Sequence, residues 1–107
     1  MNKKASEAYC YYKRQSPDAI VLFRVGDNYV ALSDDARRVK DCIPELELEC
    51  PEYQMASLQL PVCNIFDYLP LLGENGVETR MVECRDDSGR FDFPDMERLK
   101  DERSSDY

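Results

Sequence analysis

At 107 residues the chain is long enough to bury one hydrophobic core and too short for two. Hydrophobic residues make up 43% and charged residues 34%, and the longest apolar run is Ala19-Ile20-Val21-Leu22-Phe23, which excludes a membrane span and a signal-peptide core and leads us to expect a soluble, cytoplasmic protein. The net charge of −8 is uneven: residues 1–42 hold eight Lys/Arg against six Asp/Glu, residues 43–84 one against eight, and residues 85–107 five against eight. A protein held to nucleic acid by phosphate neutralisation does not normally carry this surplus of acid, so any nucleic-acid contact is expected in the N-terminal third.

Taken in chain order, Lys3 to Gln15 has helix-forming composition and stops at Ser16-Pro17, where the residue before proline disfavours helix. Tyr9, Tyr11 and Tyr12 on this helix either pack on a sheet or stack on bases. Ala19 to Val25 is a continuous aliphatic run expected to form a central strand buried on both faces. Gly26 and Asp27 have the chemistry of a tight turn and join it to a second strand, Asn28 to Leu32. Ser33 is placed to cap a helix with Asp34 and Asp35 in its first turn and Arg37, Arg38 and Lys40 toward its end, the order the helix dipole favours.

Beyond Pro44 the period changes. Glu45, Glu47 and Glu49 alternate with Leu46, Leu48 and Cys50, predicting a half-buried strand with an acidic face that ends at Pro51. Tyr53 to Leu60 predicts another strand and Asn64 to Glu74 a helix, in which Pro70 fits only if the first turn begins at Asp67 or the helix is kinked. Asn75-Gly76 closes that helix, and Val77 to Cys84 predicts the last strand. Asp86 and Asp87 fall in a turn, and the charged end admits a short helix around Met96 to Arg103. These elements describe an α+β fold with a mixed sheet of about five to six strands flanked by helices, a domain over residues 1–94 and a charged tail, helical or disordered, over residues 95–107.

Catalytic chemistry finds little support. The chain has no histidine, which removes Ser/His and Cys/His nucleophilic arrangements and histidine metal ligation. The five cysteines (Cys10, Cys42, Cys50, Cys63, Cys84) include no Cys-x-x-Cys pair and are expected as reduced, core or half-buried thiols. No enzyme activity, metal or cofactor is expected.

The segments "YYKRQSPDAIVLFRVGDNYVALSDDARR", "MASLQLP" and "NIFDYLPLLGENGVETRMVEC" together resemble the N-terminal, mismatch-recognition domain of the MutS family of DNA mismatch-repair proteins, over roughly residues 8 to 84. The first segment carries most of the specificity, against a family pattern of an aliphatic strand, a Gly-Asp-Phe-Tyr-Glu turn and an acidic-capped helix. The resemblance implies a mixed sheet flanked by helices, and a turn whose Phe wedges beside a mispaired base while the Glu hydrogen-bonds it. Gly26, Asp27 and Tyr29 match the motif, but Asn28 stands at the Phe position and Val30 at the Glu position. The family's "MAG" segment is Met55-Ala56-Ser57, and no Walker-type glycine-lysine loop stands in these residues.

On this reading the DNA-contact candidates are Asn28, Val30, Tyr29, Arg24, Arg37 and Arg38, with Gly26 and Asp27 shaping the turn. Arg24 is either an edge charge or a phosphate contact. The expected function is a non-enzymatic module associated with duplex or distorted DNA. The alternative is a protein-interaction module that keeps the fold without binding DNA, docking through a sheet edge or apolar patch. A membrane partner is not expected, and the oligomeric state is left open.

Overall fold

The computed structural model of the chain describes residues 3–48 and 55–96. The elements run α1 (Lys3–Gln15), β1 (Ile20–Val25), β2 (Asn28–Leu32), α2 (Ser33–Cys42), β3 (Ser57–Pro61), a 3-10 turn (Val62–Asn64), α3 (Ile65–Glu74), β4 (Thr79–Val82), β5 (Cys84–Arg85) and β6 (Phe91–Asp92). The main sheet has the order β3-β2-β1-β4, and β5 and β6 form a separate two-stranded ribbon. The fold is therefore α+β, with the expected strands divided between two sheets. Among the described residues no helix is long and apolar enough to cross a membrane.

β1 lies between β2 and β4, pairing antiparallel with β2 (Phe23↔Val30) and parallel with β4 (Ile20↔Thr79, Phe23↔Val82). Because side chains alternate along a strand, this one segment supplies both layers of the core. Ile20 and Leu22 join Tyr29, Ala31, Leu58 and Leu60 beneath α2 and α3. Val21 and Phe23 join Val30, Leu32 and Val82 beneath α1, where Phe93 and Met96 complete the layer. The unbroken aliphatic run is thus explained by burial on both faces. Tyr9, Tyr11 and Tyr12 pack against the second layer, so the tyrosines of α1 serve the sheet. Tyr12 stacks edge-on against Phe23, their ring centroids 5.9 Å apart. Burial, followed by the Asp35 and Asp34 charges, raises the Tyr9 phenol above its ordinary value.

One polar group joins the layers. Asp35, 1% exposed, accepts a hydrogen bond from the Val21 backbone N–H at 3.1 Å and an ion-paired one from Lys13 Nζ at 2.9 Å. Lys13 Nζ also donates to the Ala19 carbonyl at 2.6 Å. The β1–β2 register runs only from Phe23 to Val25, so the Asp35 carboxylate gives Val21 N–H an acceptor where the two strands have parted. Asp35 is more than a dipole-favoured residue of the first turn: it binds α1, β1 and α2 together.

Several expectations are corrected. Ser33 does not cap α2 with its side chain; Leu32 holds the cap position, and Ser33 adopts a left-handed φ of 54° while its N–H donates to the Ala56 carbonyl at 2.6 Å. The strand expected from Glu45 does not form over residues 45–48, and Glu49 and Cys50 lie outside the described residues. There Lys40 Nζ grips the Pro44 and Leu46 carbonyls and Leu46 packs on the core, so the segment turns over the end of α2 instead of extending. The third strand is shorter than expected and begins at Ser57; Pro51 and Tyr53 lie outside the described residues. Pro70 stands inside α3, which starts at Ile65, so the Phe66 carbonyl lacks its usual helical donor. The last strand is shorter too, and the C-terminal turn at Asp86-Asp87 proves to be the loop of the β5–β6 ribbon. Cys10 and Cys63 are exposed, against the expectation of half-buried thiols, whereas Cys42 and Cys84 meet it. The short helix expected at Met96 to Arg103 lies, beyond Met96, outside the described residues.

Removing the Asp35 carboxylate leaves Lys13 and the Val21 N–H without it, so D35A is expected to lose about 3–5 kcal/mol of unfolding free energy. The exposed Asp34–Arg37 pair is a control: D34A costs about 0–1 kcal/mol, both read from urea denaturation.

Candidate functional site

The site begins at the two-residue hairpin between β1 and β2. Val25 pairs with Asn28, so Gly26 and Asp27 alone make the turn. Gly26 takes φ +57° while Asp27 keeps a negative φ, the pattern of a type II′ turn, whose twist matches that of the strands it joins. Both turn residues are exposed. Two neighbours brace them: Val62 N–H donates to the Asp27 carbonyl at 3.0 Å, and Gly26 N–H to the Phe91 carbonyl at 3.0 Å. The tip is therefore held from one side by the chain leaving β3 and from the other by the β5–β6 ribbon.

Strand alternation decides what the tip can present. Asn28 and Val30 share the face that packs toward α1, whereas Tyr29 faces α2 and α3. Asn28 is half-buried, at the rim. Val30 is 1% exposed within the layer that holds Phe23, Phe93 and Met96. Phe93 stacks on Phe23 at 5.2 Å between ring centroids, and Phe23 is the direct β1 partner of Val30. Of the contact candidates, Val30 is thus packed in the core, with almost no exposed surface. Tyr29 is also buried, and its hydroxyl donates to Glu83 Oε1 at 2.5 Å. Burial and then the Glu83 hydrogen bond raise its phenol above the ordinary value, with Arg24 acting in the opposite direction.

The candidate cations do not form one surface. Arg38 donates to the Asp18 carbonyl at 3.2 Å, and Asp18 precedes β1, whereas the turn follows β1. A six-residue strand spans about 20 Å, so Arg38 stands at the far end of the sheet from the hairpin tip. Arg37, on the same helix, is engaged with Asp34 at 2.9 Å. Arg24 alone belongs to the tip. It pairs with Tyr29 of β2, one residue beyond the end of the β1–β4 ladder at Phe23, and its Nε donates to the Gly26 carbonyl at 2.8 Å.

Arg24 also meets residues that patterning left aside. Its guanidinium carbon lies 4.3 Å from the Phe91 ring centroid, and that of Arg85 lies 4.5 Å from the same ring. The Tyr29 ring is 5.7 Å from Arg24. Asp86 shapes the ribbon loop that carries Arg85 and Phe91: one carboxylate oxygen accepts from Ser88 N, Ser88 Oγ and Arg90 N at 2.9, 2.7 and 3.0 Å. The Ser88 hydroxyl bond first, then the Arg90 N–H, holds the Asp86 carboxyl below its ordinary value. The local signal in the sequence was "RDDSGRF", an Asp-Asp-Ser-Gly turn between residues able to pair, but its approach to Arg24 is a tertiary event.

The family model for MutS domain I matches residues 4–91. Among curated proteins, a DNA mismatch repair protein MutS from Pelotomaculum thermopropionicum is 35% identical over 74 residues, covering 69% of this chain and 8% of that relative. The chain thus spans a small fraction of the relative it matches.

A carboxylate at position 30 would sit uncompensated in an apolar layer, so V30E is expected to lose about 3–5 kcal/mol of stability, against less than about 1 kcal/mol for N28E at the rim, by urea denaturation. Because Asp86 is depressed, its support for the ribbon loop is present above the ordinary carboxylate range and lost as pH falls through its folded value. The Ser88 and Arg90 amide resonances are expected to titrate together in that acidic window, and D86A to abolish the transition.

Proposed function

As the chain belongs to the MutS domain I family, we propose that it is a non-enzymatic DNA-associated module that engages duplex or distorted DNA without reading a mispaired base through a Phe–Glu pair. The observation that carries this reading is the pairing of a retained hairpin with replaced reading positions. The Gly26-Asp27 turn is exposed and braced on two sides, while position 28 carries an amide and position 30 is buried. Base–aromatic stacking contributes about 1–3 kcal/mol per base, and the small hydrated Asn28 amide does not supply it. What remains for DNA is attraction to the backbone and whatever discrimination duplex deformability provides, since a mismatch is already easier to bend. The absence of histidine from the sequence supports the non-enzymatic part. The acidic balance of −8 supports a weak interaction rather than a tight one.

Fluorescence anisotropy of labelled duplexes, matched and carrying one mismatch, tests this. Binding is expected at low salt, weakening steeply as salt rises, with less than about a threefold preference for the mismatch. N28F is expected to raise that preference by about fivefold or more, the stacking energy of one aromatic wedge. Absence of binding at low salt would end the DNA reading and direct attention to a protein partner.

A further inference from the structure

The described cations of this chain are mostly engaged. Lys4 pairs with Asp92, Lys13 with Asp35 and Arg37 with Asp34, Arg38 approaches Asp35, and Lys40 is held by backbone carbonyls. Arg80 donates to Ser16 Oγ and stacks over Tyr12. Arg14, Arg24, Arg80, Arg85 and Arg90 make no salt bridge among the described residues, although acid exceeds base by 22 to 14 in the chain; what sets Arg24 and Arg85 apart is a shared contact. The two share one aromatic ring, Phe91, at 4.3 and 4.5 Å.

This arrangement has chemical consequences. Stacking engages the face of a guanidinium and fixes its plane while its N–H donors stay at the edge, the geometry that suits bidentate contact with a phosphate. Arg24 is further oriented by its Nε bond to Gly26, and Phe91 by the Gly26 N–H on its carbonyl. Two acids at this end of the molecule make hydrogen bonds elsewhere: Asp86 accepts from Ser88 and from the Arg90 N–H of its own loop, and Glu83 accepts the Tyr29 hydroxyl. Exposed Arg90 flanks Phe91 in sequence and adds a third positive charge to the ribbon.

We infer that Arg24 and Arg85, brought to one tip by their shared contact with Phe91, form a binding site for the phosphodiester backbone of duplex DNA. The inference rests on the DNA reading above and deepens it, placing the grip at the β5–β6 ribbon rather than at the basic end of α2. Contact with backbone oxygens is indifferent to sequence and to mismatches, which suits a tip that has lost both reading side chains.

The test is NMR titration of the intact chain with a short matched duplex at low salt, following backbone amides and arginine Nε signals, together with the affinities of R85Q and R37Q. Shifts centred on Arg24, Arg85 and Phe91, with R85Q weakening binding about fivefold or more and lowering the salt slope by about one phosphate while R37Q stays within about twofold, support the site. R85K separates geometry from charge: the fork should make it weaker than wild type. A duplex that binds with shifts centred on Arg37 and Arg38, or with R85Q unchanged, overturns the site and leaves the DNA reading standing. A wild-type chain that binds no duplex overturns both.

Discussion

The buried Asp35 carboxylate is the constraint on which the rest of the arrangement depends. The β1–β2 ladder ends at Phe23↔Val30, while β2 stays paired with β3 as far as Leu32 before the chain turns into α2 at Ser33. A parted strand leaves backbone N–H groups to satisfy, and the Asp35 side chain answers for Val21 while drawing in Lys13 from α1. One helix residue thereby fixes the relative positions of both helices and the central strand. The β1–β2 hairpin extends from the other end of that strand, so its tip is presented by a rigid element braced at its base.

Residue patterning made much of this fold legible. The run Ala19 to Phe23 revealed a strand buried on both faces, because a short, aliphatic run bounded by Pro17 and by the Gly26-Asp27 turn is too short for a buried helix. Gly26-Asp27 and Asn75-Gly76 declared themselves through backbone chemistry, and the resemblance of the first block identified the family. The alternation at Glu45 to Cys50 misled, because a period of two describes a strand only where a neighbour is available, and the Lys40 side chain claims these carbonyls first. The capping role of Ser33 failed for a similar reason: its N–H is committed to Ala56, a partner that local sequence does not reveal.

The site was less legible than the fold. Positions 28 and 30 were identifiable from the motif, but their fates differ, and only packing separates a rim amide from a core valine. The valine is consistent with its surroundings, since Phe23, Phe93 and Met96 make a layer in which a carboxylate has no partner. Arg37 and Arg38 stand with Arg24 among the contact candidates, yet a strand's length divides them. Arg85 and Phe91, more than sixty residues beyond Arg24, are instead its neighbours.

On the proposed reading this domain holds DNA without wedging a side chain into the base stack. The most direct measurement is the fluorescence of 2-aminopurine placed beside a mismatch, with saturation by the protein monitored on the same duplex. Complex formation with emission unchanged is expected, as the neighbouring bases stay stacked. A marked rise in emission on saturation would show the stack opened and contradict it.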